Sequence, residues 1–360
     1  MRVGLNISGS HPFELAHRGQ ALAGRLGADS VWLADHMLGL FHPELWPEME
    51  LGRTGADPDG YLDPWCVLAA LAPASPVPLG MCVTDATRRG AADVARTALT
   101  LQQLAEPGFV LGVGAGEAEN LLPFGYPFDA PVARTRDFLA ELRELLDTGR
   151  MPGTVGRLGV PLETAAGRPQ VWVAGHGPRM LELTGTYADG WLPAWSMAPE
   201  DYAERRALVA AHAAAAGRPA PVSAMYVVVL MAASRREAAA MFDDEPLAKL
   251  FARMGSAEQW RRHGLEHPTG PRARGLVDLV VHELDPAELR RLAPRIPFEL
   301  IEEIVFVGNR DEVATALEPY ATAGLEHVVL ADMTGLVGGV PEARRRAGEL
   351  AGLVQVLRAW

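Results

Sequence analysis

Short apolar runs alternate with segments of helical periodicity along most of the chain. Arg2-Val3-Gly4-Leu5-Asn6-Ile7 predicts a first strand, and the apolar spacing through residues 13–26 predicts a helix after it. Ser30-Val31-Trp32-Leu33-Ala34 predicts a second strand, followed by a long loop rich in Pro, Gly and Trp and a helix near 64–72. A third strand is expected from Val77 to Val83 with a helix near 90–105, and a fourth from Phe109 to Val113 with an amphipathic helix near 131–148. Val171-Trp172-Val173-Ala174 reads as the fifth strand, with a helix from Pro178; Gly190-Trp191-Leu192 reads as the sixth, with an alanine-rich helix near 199–216. Val222 to Met231 is the seventh, His327-Val328-Val329-Leu330 the eighth, and a helix near 341–357 closes the chain.

Strands that are apolar throughout are buried on both faces, and the intervening helices are what covers them. Eight such units in 360 residues predict a single α/β domain over residues 1–360, a (β/α)8 TIM barrel, with a doubly wound open sheet as the alternative. The repeat stops between about 233 and 303, a polar and mostly helical stretch. It is expected to be an insertion before the last strand, lying over the barrel top; a surface excursion is the alternative.

Composition narrows the setting. No apolar run approaches the ~20 residues that span a bilayer. The opening strand has no signal-peptide layout, and two cysteines, Cys66 and Cys82, make no disulfide framework, so the expected compartment is the cytoplasm. A formal charge of -12 disfavours nucleic acid and anionic membranes as partners. An anionic ligand would have to be held by local donors.

In a barrel, the residues just after the strands line the catalytic face. Here that position holds Asn6, Ser8, Asp35, His36, Thr84, Asp85, Glu117, Asn120 and the run Gly175 to Arg179. The fourth strand passes straight into Gly112-Val113-Gly114-Ala115-Gly116-Glu117-Ala118-Glu119-Asn120. Glycines at alternate positions suit a backbone that bends or sits close to something flat. A carboxyl group there, Glu117, can be tuned as an acid. His36 can give a proton or a hydrogen bond to a substrate oxygen, or simply bond a loop carbonyl; Asp35 caps or orients. Ala174-Gly175-His176-Gly177-Pro178-Arg179 joins a strand to a helix. Its free N–H groups and Arg179 suit one phosphate, with a tight turn without ligand as the alternative. Thr84 is either a donor to a polar ring edge or an ordinary strand-end threonine. Trp46 and Trp195 are candidates for stacking in a substrate pocket, whereas Trp191 is a core candidate. There is no His-x-His strand, zinc-type Cys pair or His-Glu-x-x-His, so no metal is expected. A Gly-x-Ser-x-Gly elbow is absent as well.

Taken together, these segments resemble the luciferase-like family of flavin- and deazaflavin-dependent barrel enzymes over nearly the whole chain. Within it, the likeness is to the coenzyme F420-dependent branch. Gly112 to Asn120 is similar to the motif of F420-dependent glucose-6-phosphate dehydrogenases, with Ala115 and Glu119 where those carry Thr and Leu. Longer matches are to phthiodiolone ketoreductases of the mycobacterial type: Trp32 to His36, Leu79 to Ala86, Val173 to Met180, and Arg262-His263-Gly264-Leu265-Glu266-His267-Pro268. The resemblance implies coenzyme F420, with FMN as the alternative, and hydride transfer between the deazaflavin C5 and a carbonyl or imine carbon of a small, lipid-like or polyketide-like substrate. It places Asp35 and His36 beside the ring, Cys82 and Val83 at a non-prolyl cis peptide whose bulge supports it, and Thr84 in contact with it. Glu117 and Asn120 would face the polar end of the ring, and Gly175, His176, Gly177 and Arg179 would hold the phosphate. Gly116 and Ala174 belong to the same cofactor-binding set, and His36 and Glu117 would be the catalytic pair. The dehydrogenases carry a catalytic tryptophan four residues after the histidine; here Leu40 stands there, which speaks against glucose 6-phosphate as substrate. A homodimer is implied by the same resemblance. An FMN-dependent monooxygenase and a non-catalytic cofactor-binding protein are the rival readings.

Overall fold

In the computed structural model, residues 1–194 and 197–360 are described; Trp195 lies outside the described residues. The strands are β1 (Arg2–Asn6), β2 (Ser30–Leu33), β3 (Leu79–Asp85), β4 (Phe109–Gly114), β5 (Gln170–Val173), β6 (Gly190–Trp191), β7 (Val222–Met231), β8 (Val305–Gly308) and β9 (His327–Asp332). They form one parallel sheet in the order β6-β5-β4-β3-β2-β1-β9-β7-β8, and β6 also pairs with β7. Strands β1 to β7 and β9 therefore close into an eight-stranded parallel barrel, the (β/α)8 architecture expected from the alternation of apolar runs and helical segments.

All eight predicted strands are present; β8 is additional. It is four residues long and pairs only with Val228 to Met231 at the upper end of β7. β7 is ten residues long because it serves two purposes. Its lower part closes the barrel against β6 and β9, and its upper part rises past the rim to carry β8. So short a strand, bonded along one edge, leaves almost no periodic trace.

The covering helices follow the strands at the expected places, among them Glu14–Leu26, Pro64–Leu71, Ala91–Leu104, Pro131–Thr148, Pro178–Tyr187 and Pro199–Ala215. Local chemistry sets their ends. Asp63 accepts hydrogen bonds from the Trp65 and Cys66 N–H groups ahead of Pro64, and Gly149 ends the Pro131–Thr148 helix at φ 71°. The closing helix, Thr334–Arg358, bends at Gly339. None of the described helices is long and apolar enough to cross a membrane.

Two indoles fill the inside of the barrel. Trp32 and Trp172 are fully buried, with ring centroids 5.1 Å apart. Bare backbone faces them: a Cβ on Gly4 or Gly80 would stand 2.5 or 2.2 Å from Trp32 atoms, and one on Gly190 would stand 2.5 Å from Trp172. Three strand glycines thus exist to admit two large rings, the close-approach use of glycine in a strand. The Trp32 Nε1–H donates to Ser30 Oγ at 2.7 Å, and Ser30 Oγ lies 2.9 Å from His327 Nε2. Within the plug, Ser30 Oγ links the Trp32 indole to His327, whose Nδ1 is buried without a partner.

Residues 232–304, between β7 and β8, are helical and enclose a second apolar cluster that includes Phe242, Phe251 and Trp260. Buried Arg253 ties this segment to the loop after β2, with its Nη2 donating to Leu40 O at 2.8 Å.

The Trp32 packing makes one prediction. Gly80→Ala pushes a methyl group into an indole held by β2, so stability should fall by about 1–3 kcal/mol, the usual cost of overpacking. Thermal or urea unfolding reads it; a variant as stable as the parent would show that Trp32 can yield.

Candidate active site

The site is built where β3 leaves its register. Pairing with β4 shifts between Met81 and Thr84, and the Cys82–Val83 bond there is cis, as the resemblance implies. The bulge presses on β4. A Cβ on Gly112 would stand 2.1 Å from Met81 O, and one on Gly114 would stand 2.9 Å from Val83 Cγ2. Two of the three alternating glycines are therefore spaces for the neighbouring strand. The third, Gly116, turns the chain at φ 92°.

Beyond that turn, the short helix Ala118–Leu121 carries Glu119 and Asn120 inward. Asn120 is a brace: its Oδ1 accepts from the Met37 N–H at 2.8 Å, and its Nδ2 donates to Glu117 Oε2 at 3.2 Å. The loops after β2 and β4 are thereby locked together. His36 Nδ1 lies 2.9 Å from Glu119 Oε1 and 3.9 Å from Glu117 Oε2. Asp35 turns the other way. It accepts from Thr84 Oγ1 at 2.6 Å and pairs with Arg88 at 2.9 Å, and Arg88 also binds Asp85.

Charge follows from this geometry. Burial opposes a cationic His36, but the hydrogen bond to Glu119 and the charges of Glu119, Glu117 and Asp35 outweigh it and raise the imidazole to about 9. Burial holds the Glu117 carboxyl well above its usual range; the His36 cation opposes this, and the nearby Glu119 and Asp85 add to it. The pocket thus sets a cationic imidazole beside a carboxyl group that keeps its proton to unusually high pH.

These groups border a cavity of about 310 Å³ at the carboxyl ends of the strands. Asn6, Asp35, His36 and Glu117 form one polar pole, and Cys82 and Val83 a wall beside it. Leu40, Val228, Phe251, Leu276 and Met333 supply apolar lining, with the carboxyl of Asp332 beside Met333. Tyr226 also lines the cavity, its hydroxyl oxygen accepting from Asn6 Nδ2 at 3.2 Å.

The other sequence-predicted residues fall as follows. Ala174 lines the cavity, and Thr84 is buried against Asp35 rather than on the cavity wall. Gly175 is held by close packing: a Cβ there would stand 2.7 Å from Met180 Cβ, while Trp191 Nε1–H donates to its carbonyl at 2.9 Å. Gly177 precedes the Pro178–Tyr187 helix, and a Cβ on it would meet nothing within 4 Å. Arg179 is exposed in the first turn of that helix, and His176 is exposed with its Nδ1 3.4 Å from Arg205 Nη1. Trp46 is not brought to the cavity; it is buried, and its indole N–H donates to Ala56 O at 2.7 Å. Leu40 lines the cavity at the position of the dehydrogenases' tryptophan.

Tyr226, Val228 and Met333 went unread in the sequence, and so did Glu119, Phe251 and Leu276. Glu119 had a signal, since it departs from the Leu of the dehydrogenase motif. Phe251 and Leu276 had none, because they reach the cavity from a segment more than two hundred residues from His36 in sequence. The ligand atoms of His36, Glu117 and Glu119 lie within 4.8 Å of one another, and His36 Nδ1 is already engaged by Glu119.

With this geometry in view, comparison with known proteins places the chain. The model of the luciferase-like monooxygenase family matches residues 8–327. The phthiodiolone/phenolphthiodiolone dimycocerosates ketoreductase of Mycobacterium tuberculosis is 34% identical over 329 residues, 88% of this chain and 86% of that protein. Among solved structures, an F420-dependent secondary alcohol dehydrogenase in complex with an F420-acetone adduct superposes with a TM-score of 0.68 at 19% identity, covering 96% of this chain and 97% of that one. The coenzyme F420-dependent tetrahydromethanopterin reductase of Methanopyrus kandleri does so at 0.70 and 18% identity, covering 97% of each.

The raised His36 makes stability pH-dependent. The folded state holds this proton more tightly than the unfolded chain, whose histidine titrates near 6.5. Its contribution is complete below about pH 6.5 and is lost as pH rises through about 9. The stability advantage of the parent over His36→Gln should therefore shrink across that window by up to ~3 kcal/mol. Chemical denaturation at several pH values measures it, and a constant difference would contradict the charge assignment.

Proposed function

The chain belongs to the luciferase-like monooxygenase family, and from that premise we propose that it is a coenzyme F420-dependent oxidoreductase reducing, or regenerating, the carbonyl group of an apolar small molecule. The observation that carries the reading is the cavity's mixed lining: a cationic histidine and a protonatable carboxyl group share it with Leu40, Val228, Phe251, Leu276 and Met333. A carbonyl substrate with an aliphatic body fits both parts of that lining, and the family relationship to a ketoreductase supports the same chemistry.

The residues present suit the cofactor. Cys82 and Val83, pushed into the cavity by the bulge, would support the ring, with Asp35 and Ala174 at its edges. Glu117, braced by Asn120, would meet its polar end. The glycine turn before Pro178 leaves open space at Gly177, ahead of helix N–H groups with no partner in the helix. Together with Arg179 and His176, that turn would hold a phosphate. When bound, F420 would supply hydride from C5.

The chain's own residues do the rest. His36 has Nδ1 committed to Glu119, which leaves Nε2 as the donor to the substrate oxygen. A cationic imidazole stabilises negative charge as it develops on that oxygen and gives it a proton. Glu117 keeps a proton available beside it. The apolar wall excludes water and orients the substrate body. Residues of about 233–303 are read as an insertion over the barrel top, since Phe251 and Leu276 come from it. With Leu40 in place of the tryptophan, this wall suits an aliphatic ketone of lipid or polyketide type better than a sugar.

Titration of the cofactor-free protein with F420 and FMN separately tests the reading. F420 should bind at least about tenfold more tightly, a difference of about 1.4 kcal/mol. Equal affinity, or a preference for FMN, would point to the monooxygenase chemistry also hosted by this family.

Gly177→Val tests the phosphate turn. The new side chain meets no protein atom near its Cβ, so the thermal midpoint should hold. F420 affinity should fall by about 1–3 kcal/mol, the range for hydrogen bonds to charged groups. Unchanged affinity in the folded variant would place the phosphate elsewhere.

A further inference from the structure

Glu119 is fully buried, and its one hydrogen bond among the described residues is with His36 Nδ1, at 2.9 Å. Its other oxygen, Oε2, is buried without a partner. A buried carboxylate aimed at one imidazole and nothing else is expensive unless that imidazole is charged. Across the cavity His36 shares its lining with Tyr226 from β7 and Asp332 from the end of β9. Glu117 and Glu119 come from the turn after β4, Asp35 from the end of β2, and the Tyr61 ring lies 5.8 Å away in the following loop. Arg88 stands beyond Asp35 and is paired to it, and Arg253 lies within the field of Glu119. The charges that act on His36 are those of Glu119, Glu117 and Asp35.

We infer that Glu119 is the positioning residue of this site, holding His36 with the Nδ1 proton turned towards itself and Nε2–H presented as the acid. The inference rests on the reading of His36 as the group that meets the substrate oxygen. In the proton step the Nε2–H bond breaks, its electron pair stays on the ring, and the proton joins the oxygen of the alkoxide left when hydride reaches the carbonyl carbon. The Nδ1 proton does not move, so Glu119 takes no part in the proton transfer itself. An ionised carboxylate offers only acceptors, which fixes the tautomer left after the step. This distinguishes the chain from the dehydrogenase motif, which carries Leu at the position of Glu119 and Trp at that of Leu40. Glu119 sets a carboxylate 2.9 Å from His36 Nδ1, and Leu40 lines the same cavity as His36.

The decisive measurement is NMR titration of the histidine rings in the cofactor-free protein, with His36 assigned from His36→Gln. In the parent, its midpoint should lie well above the ordinary value of about 6.5. Glu119→Gln keeps the shape and removes the charge, and should lower the midpoint by at least about 1 pH unit. A parent midpoint at the ordinary value overturns the inference without any variant, and so does an unmoved midpoint in folded Glu119→Gln. Kinetics give an independent readout. The alkaline limb of kcat, where the acid loses its proton, should move to lower pH in Glu119→Gln while KM for the carbonyl substrate changes little; a limb that stays in place overturns the assignment. F420 titration of the parent separates this inference from the reading beneath it. A lowered midpoint in a protein that does not bind F420 supports the Glu119–His36 pair and rejects the cofactor. An unmoved midpoint in a protein that binds F420 does the reverse.

Discussion

The site depends first on the press of β3 against β4 at the rim of the barrel. Gly112 sits where any side chain would meet Met81 O at 2.1 Å, and Gly114 where it would meet Val83 at 2.9 Å. Glycine on β4 is what lets β3 bulge, and the bulge is what puts Cys82 and Val83 on the cavity wall. The same displacement carries Thr84 to Asp35, whose carboxylate is then shared with Arg88. Past the glycines, β4 ends in a turn that returns Glu117, Glu119 and Asn120 to the loop after β2. One packing condition between two strands therefore positions both acidic residues, the histidine they surround and the wall beside it.

The polar pole depends on charge as strictly as the bulge depends on space. Asp35, Asp85, Glu117 and Glu119 crowd a small volume, and like carboxylates so close repel each other. Arg88 answers Asp35 and Asp85, while His36 answers Glu119 and, less directly, Glu117. Glu117 is left with the poorest compensation, which is why burial and its acidic neighbours make it the carboxyl group that keeps its proton. The raised Glu117 and His36 come from who faces whom in this small volume. Unlike groups side by side, one cationic and one neutral, are what acid–base work in a single pocket needs.

Much of this was legible in the sequence for identifiable reasons. Apolar runs such as Val171-Trp172-Val173 are buried on both faces and announce parallel strands, and Pro64 and Pro178 mark helix starts, so the barrel order could be read. His36 and Glu117 were legible because barrel chemistry sits just after strands. β8 was not, being four residues paired on one edge. The alternating glycines from Gly112 to Gly116 read as a backbone that bends or sits close to something flat; Gly112 and Gly114 make room for the bulge, and Gly116 turns the chain. Gly4, Gly80 and Gly190, which carried no such reading, make room for Trp32 and Trp172. A sequence shows that a glycine leaves space without showing what enters it. Trp46 misled in the opposite direction: an aromatic residue in a loop looks available for stacking, but its N–H is satisfied by Ala56 O and its ring is buried.

The polar and apolar parts of the cavity lining differ in how they are encoded, and this bears on what can change in such a protein. Asp35, His36, Cys82, Val83, Glu117 and Ala174 all lie at the ends of barrel strands, fixed by the hydrogen-bonded ladder and by Asn120 across two loops. Phe251 and Leu276 come from the helical segment 232–304, which packs around a core of its own and is tied to the Leu40 loop through Arg253. A substitution in that segment can reshape part of the apolar lining without touching the ladder that aligns His36. Under the proposed function, the barrel holds the acid–base pole. The apolar lining is shared between Val228 and Met333 of the barrel, Leu40, and Phe251 and Leu276 of the segment 232–304, so substitutions in that segment would change only part of the surface meeting the body of a substrate.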